Sequence, residues 1–200
     1  QCVVTDVGSV KAPVLKVWGD LHKRFIGSHP MAGTAEAGVE AGQLALFKNK
    51  PWITTPTKHT DHEALAIIND LAVSIGCNWI QADADLHDQA VALISHLPVL
   101  ISASLLSTVA SEQNPAILDL AIKLSSNGFA DTSRVGGGNP ILGTGMMENN
   151  TSAILKALSS YRWNLENFEE VLISKNWEQL EVELEKTKKM RRNFICDSND

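Results

Sequence analysis

The spacing of apolar positions changes along the chain, and the change divides it in two. Cys2 to Val7 (CVVTDV) is a short apolar run ending around Asp6, the pattern of a buried strand. Gly8-Ser9 makes a tight turn. Val10, Val14, Leu15, Trp18 and Leu21 then recur at helical spacing, with Pro13 acceptable only in the first turn. A second short run, Phe25 to Ser28, follows. Strand, turn, helix and strand form a βαβ unit, which implies a parallel sheet. Such a sheet must be covered on both faces, and one βαβ unit cannot do this. The expectation is that another part of the protein precedes Gln1 or has been lost. Gly38 to Phe47 reads as helical and Pro51 to Pro56 (PWITTP) as a strand. Thr60-Asp61 can N-cap a helix through Leu65, Ile68, Leu71, Ala72 and Ile75, stopped by Gly76. Asn78 to Gln81 is a last short strand.

From about Asp83 only the helical period remains. Ala84 to Ala110 carries Ala90, Leu93, Ile94, Leu97, Ile101, Leu105 and Leu106 near one face, and the internal Pro98 predicts a kink. Ala116 to Ser126 is another helix, closed by a Gly128-Phe129 turn. Asn139-Pro140 pairs an N-cap with proline at the first helical position, opening a helix towards Tyr161. Leu165, Phe168, Val171 and Leu172 give one further helical face; Trp177, Leu180 and Leu184 give another, ending in the basic run Lys186 to Arg192. The division predicted is therefore an α/β part over residues 1–82 and an all-α part over 83–200. No internal repeat interrupts it, and Cys196 to Asp200 reads as a disordered tail.

Composition narrows the function classes. With 44% hydrophobic and 20% charged residues, the chain is of ordinary globular make-up. A net charge of −6 argues against a nucleic-acid partner, whose phosphates demand a basic face. No apolar run approaches the ~20 residues that span a bilayer, so no membrane partner is expected. No basic segment precedes an apolar stretch at the start, so no signal peptide is read. Cys2, Cys77 and Cys196 lie far apart, outside any CxxC pattern, and read as reduced thiols of a cytoplasmic protein.

The candidate chemistry centres on Phe25 to Thr34 (FIGSHPMAGT). Pro30 biases His29 towards an extended conformation, placing the imidazole at a strand end beside small residues that admit a ligand. General base work suits that position, and so does the capping of a turn. Gly136-Gly137-Gly138 follows no strand and lacks either nucleotide-binding spacing, so it reads as a loop before the Asn139 cap. His59 and His62 flank a helix start and read as solvent-facing. His87 and His96 are nine positions apart, about 180° out of phase on a straight helix, which excludes a shared pocket. His96, next to the Pro98 kink, is the better pocket candidate. No pair fits HExxH, and no metal site is expected. Arg134, after Asp131-Thr132-Ser133, reads either as a solvated charge or as a bidentate clamp on a carboxylate.

Five segments in order, TDVGSVK (5–11), GSHPMAGT (27–34), the series Leu46, Phe47, Trp52, Thr55 and Pro56, HDQAVALISHLP (87–98) and GFADTSRVGGGNP (128–140), resemble the prephenate/arogenate dehydrogenases of tyrosine biosynthesis, above all the cyanobacterial-type arogenate dehydrogenases. The resemblance implies the C-terminal part of a Rossmann-like nucleotide-binding domain followed by a helical dimerisation domain. It implies oxidative decarboxylation of arogenate to tyrosine, with hydride transfer to NADP. His29 matches the catalytic histidine, and Ser9 the serine expected to hydrogen-bond that histidine or the substrate hydroxyl. His96 and Arg134 match substrate-side residues, with Gly33 and Thr34 beside them. Asp6, Gly8 and Ser9 fall on the cofactor side, and a homodimer through the helices is implied. Two departures stand out. The GxGxxG turn with which the family begins is missing from the chain, so the fragment is expected to be inactive alone. Ala35 stands where many prephenate-using members carry glutamate. The rival readings are an NAD-dependent prephenate dehydrogenase making 4-hydroxyphenylpyruvate and a truncated, non-catalytic dimerisation module.

Overall fold

The computed structural model describes residues 2–33, 38, 40 and 42–194. It divides into two compact units, Gln1–Leu155 and Lys156–Asp200. In the first, β1 (Val4–Thr5), α1 (Ala12–Leu21) and β2 (Phe25–Ile26) form the expected parallel βαβ unit, with Val4 opposite Phe25 and Thr5 opposite Ile26. The chain continues at once into β3 (Ser28–Pro30). This strand pairs antiparallel with β4 (Pro51–Thr54), which pairs parallel with β5 (Asn78–Gln81). The sheet is therefore mixed, where the sequence implied parallel order. Residues 44–47, part of the segment expected to be helical, lie in turns. Among the described residues between β3 and β4 no helix crosses over, and β4 runs opposite to β3. Ala35, Cys196 and the tail lie outside the described residues.

Helix α2 (His62–Ser74) starts where its cap predicts: the Asp61 side chain accepts from Ala64 N–H at 2.8 Å. Gly76 at φ +84° ends it in the left-handed conformation that glycine adopts freely. The helix lays Ala64, Leu65 and Ile68 on Ile26, and Ala72 joins Trp52 and Cys77 in a second cluster. These two clusters fix β2 and β4, and with them the strand that carries His29.

The long helical run has three parts: α3 (Ala84–Val91), a π turn (Ala92–His96) and α4 (Leu97–Ala110). The π turn is closed by Leu97 N–H donating to Ala92 O, five residues back. Pro98 has no N–H, and its ring crowds the carbonyl four residues earlier, so the α pattern gives way just upstream. Over its 27 residues this helix is long and apolar enough to cross a membrane by length and composition, which corrects the expectation that no such run exists. Its polar residues His87, Asp88, His96 and Ser102 are nonetheless buried within the protein.

Helix α5 (Pro115–Leu124) is capped by Asn114. The Gly128-Phe129 turn proves to be the start of α6 (Asn127–Ser133), which runs into a 3-10 turn (Arg134–Gly137). Asn139 caps α7 (Pro140–Asn149), accepting from Ile141 and Leu142 N–H. Asn150 then breaks the helix expected to continue to Tyr161, and α8 (Thr151–Ile173) begins anew. The second unit comprises the rest of α8 and α9 (Trp177–Phe194).

Candidate active site

Strand β3 holds His29 at a place where β2 and β3 almost merge. Gly27 separates them because nothing larger fits: a Cβ there would lie 2.7 Å from Thr55 Oγ1 and 3.2 Å from Leu15 Cδ2. Ser28 is anchored on both sides of its peptide. Its N–H donates to Asp6 Oδ1 (2.9 Å), and its carbonyl accepts from Lys11 Nζ (2.7 Å). Lys11 also pairs with Asp6 Oδ2, and burial lowers the lysine pKa against the opposing pull of Asp6 and Asp88.

His29 is buried but for 8% of its surface, and its Nδ1 lies 2.9 Å from His87 Nε2. His87 Nδ1 in turn lies 2.8 Å from Asp88 Oδ1. The Asp88 carboxylate also accepts from Lys11 N–H (2.7 Å) and Ala12 N–H (2.9 Å), two of the free donors at the start of α1. Burial works against its charge. The hydrogen bonds from His87, Lys11 and Ala12 nevertheless hold it below the usual carboxylate range. An ionised carboxylate only accepts, so it fixes the tautomers along the row. His87 carries its proton on Nδ1 and accepts at Nε2. His29 must then donate from Nδ1, which leaves its Nε2 as a lone-pair acceptor. Burial, then the nearby His87, Lys11 and His96, lower the His29 pKa from 6.5 to about 3, against a smaller opposing effect of Asp88. The imidazole is neutral at neutral pH.

His29 lines a cavity of about 710 Å³. One wall is the turn Val7–Ser9 with residues 29–33; the other is Ser95, Val99 and the segment from Arg134 to Met146. Arg134 is exposed on this wall and has no hydrogen bond or ion pair among the described residues. The glycine run beside it is a packing device. A Cβ on Gly136 would lie 2.4 Å from Ala103 N, and Gly136 N–H donates to Ser102 Oγ (2.8 Å), clamping the 3-10 turn to α4.

Gly8, Ser9, His29, Gly33 and Arg134 therefore share one cavity. Thr34 lies outside the described residues. Ser9 makes no hydrogen bond to His29, whose Nδ1 partner is His87. Asp6, expected on the cofactor side, spends its carboxylate on Ser28, Gly8 and Lys11 and does not line the cavity. His96 is wholly buried behind the wall rather than on it. The Asn150 amide N–H₂ donates to Asp88 O (2.7 Å) and meets His96 Nδ1 at 3.2 Å, so His96 carries its proton on Nε2, which has no partner. Burial lowers its pKa, with Asp88 opposing and His87 reinforcing. The straight-helix argument against His87 fails because the π turn changes the phase between the two histidines. His87 is the one that touches His29, and the dipeptide His87-Asp88 was its only sequence signal. Among the described residues, no group of three or more His, Cys, Asp or Glu is placed to hold a metal.

Residues 1–81 match the family model described as prephenate dehydrogenase, nucleotide-binding domain, and residues 83–186 match prephenate dehydrogenase, dimerization domain. The chain belongs to the prephenate dehydrogenase family. Its structure is similar to that of arogenate dehydrogenase from Synechocystis, at 43% identity and a TM-score of 0.86, covering 97% of this chain and 70% of that one. It is also similar to prephenate dehydrogenase from Aquifex aeolicus in complex with hydroxyphenyl propionate and NAD+, at 31% identity and a TM-score of 0.88, covering 97% and 68%. In sequence it is 31% identical over 191 residues to cyclohexadienyl dehydrogenase of Zymomonas mobilis, across 94% of this chain. The chain spans 65% of that relative's length and 42% of the prephenate dehydrogenase of Bacillus subtilis.

Proposed function

We propose that this chain forms the catalytic and substrate-side part of an arogenate dehydrogenase, which oxidatively decarboxylates arogenate to tyrosine with NADP. The observation that carries the reading is His29 Nε2, left as the open acceptor of a fixed row of hydrogen bonds on the wall of a cavity that also holds Arg134, unpaired among the described residues. When bound, a nicotinamide cofactor supplies the acceptor for the hydride that leaves C4 of the substrate. Val7, Gly8 and Ser9, beside His29 on the cavity wall, would hold the nicotinamide.

His29 Nε2 takes the proton of the C4 hydroxyl as C4 becomes a carbonyl carbon. The ring carboxylate departs as CO2, its bonding pair enters the ring, and the oxygen regains a proton to give the phenol. Aromatisation makes the step downhill. In the empty cavity His29 is a weak base, but a bound anion favours its protonated form and strengthens it. The Arg134 guanidinium holds a carboxylate through two parallel hydrogen bonds. Ser9 and Gly33 close on the ring and its hydroxyl.

Arogenate is favoured over prephenate by charge. Arg134 is the single cationic side chain that the described residues put on the cavity wall. One cation suits a substrate whose side-chain carboxylate carries its own ammonium; prephenate brings two uncompensated carboxylates. The alternative, an NAD-dependent prephenate dehydrogenase, draws on the likeness to the Aquifex protein with its NAD+. NADP is preferred on the greater identity to the Synechocystis enzyme. We further infer a cytoplasmic homodimer. Cys2 and Cys77 are free thiols, and α5 and α7 expose Ile117, Leu120, Ile122, Leu124 and Ile141. The deciding experiment, on the full-length protein, is a matrix of kcat/KM for arogenate and prephenate with NADP and NAD. Preference for prephenate with NAD selects the alternative. Failure of calorimetry to detect binding of either dinucleotide leaves only a dimerisation module.

A further inference from the structure

Lysine is among the residues least often fully buried, yet Lys11 is 0% exposed. Its position explains why it is retained. Nζ donates to the carbonyl of Ser28, the peptide that opens into His29, and is neutralised by Asp6. Its backbone N–H donates to Asp88 Oδ1, the same oxygen that accepts from His87. One residue thus touches both ends of the row: the strand bearing His29 and the carboxylate that orients His87.

We propose that Lys11 is a positioning residue of the reaction, tying the His29 strand to the Asp88 carboxylate so that the His29–His87–Asp88 row is held in register. This inference rests on His29 being the base. Lys11 contributes in two ways. It fixes the peptide plane before His29, so the imidazole keeps its reach to His87. It also sets a buried positive charge beside a second group that would become positive, which opposes protonation of His29. The charged and titratable groups facing His29 are Lys11 and Asp6 from the turn before α1, His87 and Asp88 from α3, and His96 from the π turn. Three of these oppose a proton on His29: Lys11, His87 and His96. Of the three, only Lys11 is also paired with a carboxylate, Asp6.

The test follows His29 directly by 15N NMR of the histidine-labelled protein, alongside kcat/KM against pH. In the unaltered protein His29 should stay neutral down to about pH 5. In Lys11→Met its titration midpoint should rise, and kcat/KM should fall about tenfold per unit of rise when measured below that midpoint. kcat should change more than KM. Asp6→Asn keeps the lysine and its bond to Ser28, so the midpoint should not rise. The double variant with Lys11→Met and Asp6→Asn removes the ion pair as a unit and should fold even if the single lysine variant does not. Its midpoint should rise, though less than in Lys11→Met. An unchanged His29 midpoint in whichever lysine variants fold overturns the proposal, as does an equal rise in Asp6→Asn. A purely structural lysine would lower the melting temperature and leave the midpoint alone. Retained turnover in His29→Asn would instead sink the assignment of the base, and the NMR titration would still judge Lys11.

Discussion

The two walls of the cavity are built on opposite principles. Around His29 the hydrogen-bonding groups are spoken for: Ser28 by Asp6 and Lys11, His29 by His87, His87 by Asp88, and Asp88 by the first N–H groups of α1. Across the cavity, Arg134 is exposed and has no partner among the described residues. The first wall is made rigid before any ligand arrives, which suits a group that must meet a proton within hydrogen-bond distance. The second keeps its donors unspent, which suits a group whose partner is the ligand. Chemistry and recognition are therefore separable, and substitutions should affect kcat on one wall and KM on the other.

The largest effect should come from His29→Asn, which keeps the shape but removes the proton acceptor. It is expected to lower kcat by about 10²–10⁴-fold with little change in substrate KM. Near wild-type turnover would erase the distinction between the walls. Asp88→Asn should come next. Asparagine leaves the tautomer of His87 unspecified, and a base held out of alignment loses roughly 10²-fold in kcat. On the opposite wall, Arg134→Ala should raise substrate KM by on the order of 30-fold, the low end for a charged pair because Arg134 is solvent-exposed. Arg134→Lys keeps the charge but not the planar fork, and should raise KM by about half as much in free energy. Unchanged KM in both variants would return Arg134 to the solvated surface.

The smallest effect is on stability. The folded-state pKa of His29 is lowered from 6.5 to about 3, so the unfolded chain binds more protons between those values. Stability should therefore rise with pH through that window and be lost as pH falls through it. His96 is shifted in the same direction. Asp88, also lowered, adds stability that is lost at still lower pH. Thermal unfolding should thus move to lower temperature between about pH 7 and pH 5, and His29→Asn should flatten that slope. An equally steep slope in the variant would mean that His29 is not buried neutral.

Much of this was legible in the sequence where local chemistry decides. The cap at Asp61, the stop at Gly76, the Asn139-Pro140 helix start and the strand at 78–81 all depend on a few adjacent residues. So did the change from α/β to all-α and the family itself. What stayed hidden depends on distance or on phase. The antiparallel pairing of β4 with β3 joins residues 22 to 26 positions apart. The glycine run signalled a loop, while its reason is α4 lying 2.4 Å from a hypothetical Cβ. Lys11 and Asn150 looked like ordinary polar residues, because their partners lie 77 and 62 positions away. His87 was set aside through an assumption of helical regularity that the chain does not keep.

That irregularity makes the spacing between positions 92 and 96 matter more than their identities. An α-helix turns about 100° per residue, and the π turn here takes up one residue more than a regular turn would. Regular α winding of that segment at its present length would swing α3 by about that angle relative to α4. His87 would leave His29, and Asp88 would leave the start of α1, although no named side chain had changed. A one-codon deletion within Ala92–Ser95, which straightens the helix without turning its ends, should therefore be borne better than a one-codon insertion, so within this stretch the gene is read as much by its length as by its letters.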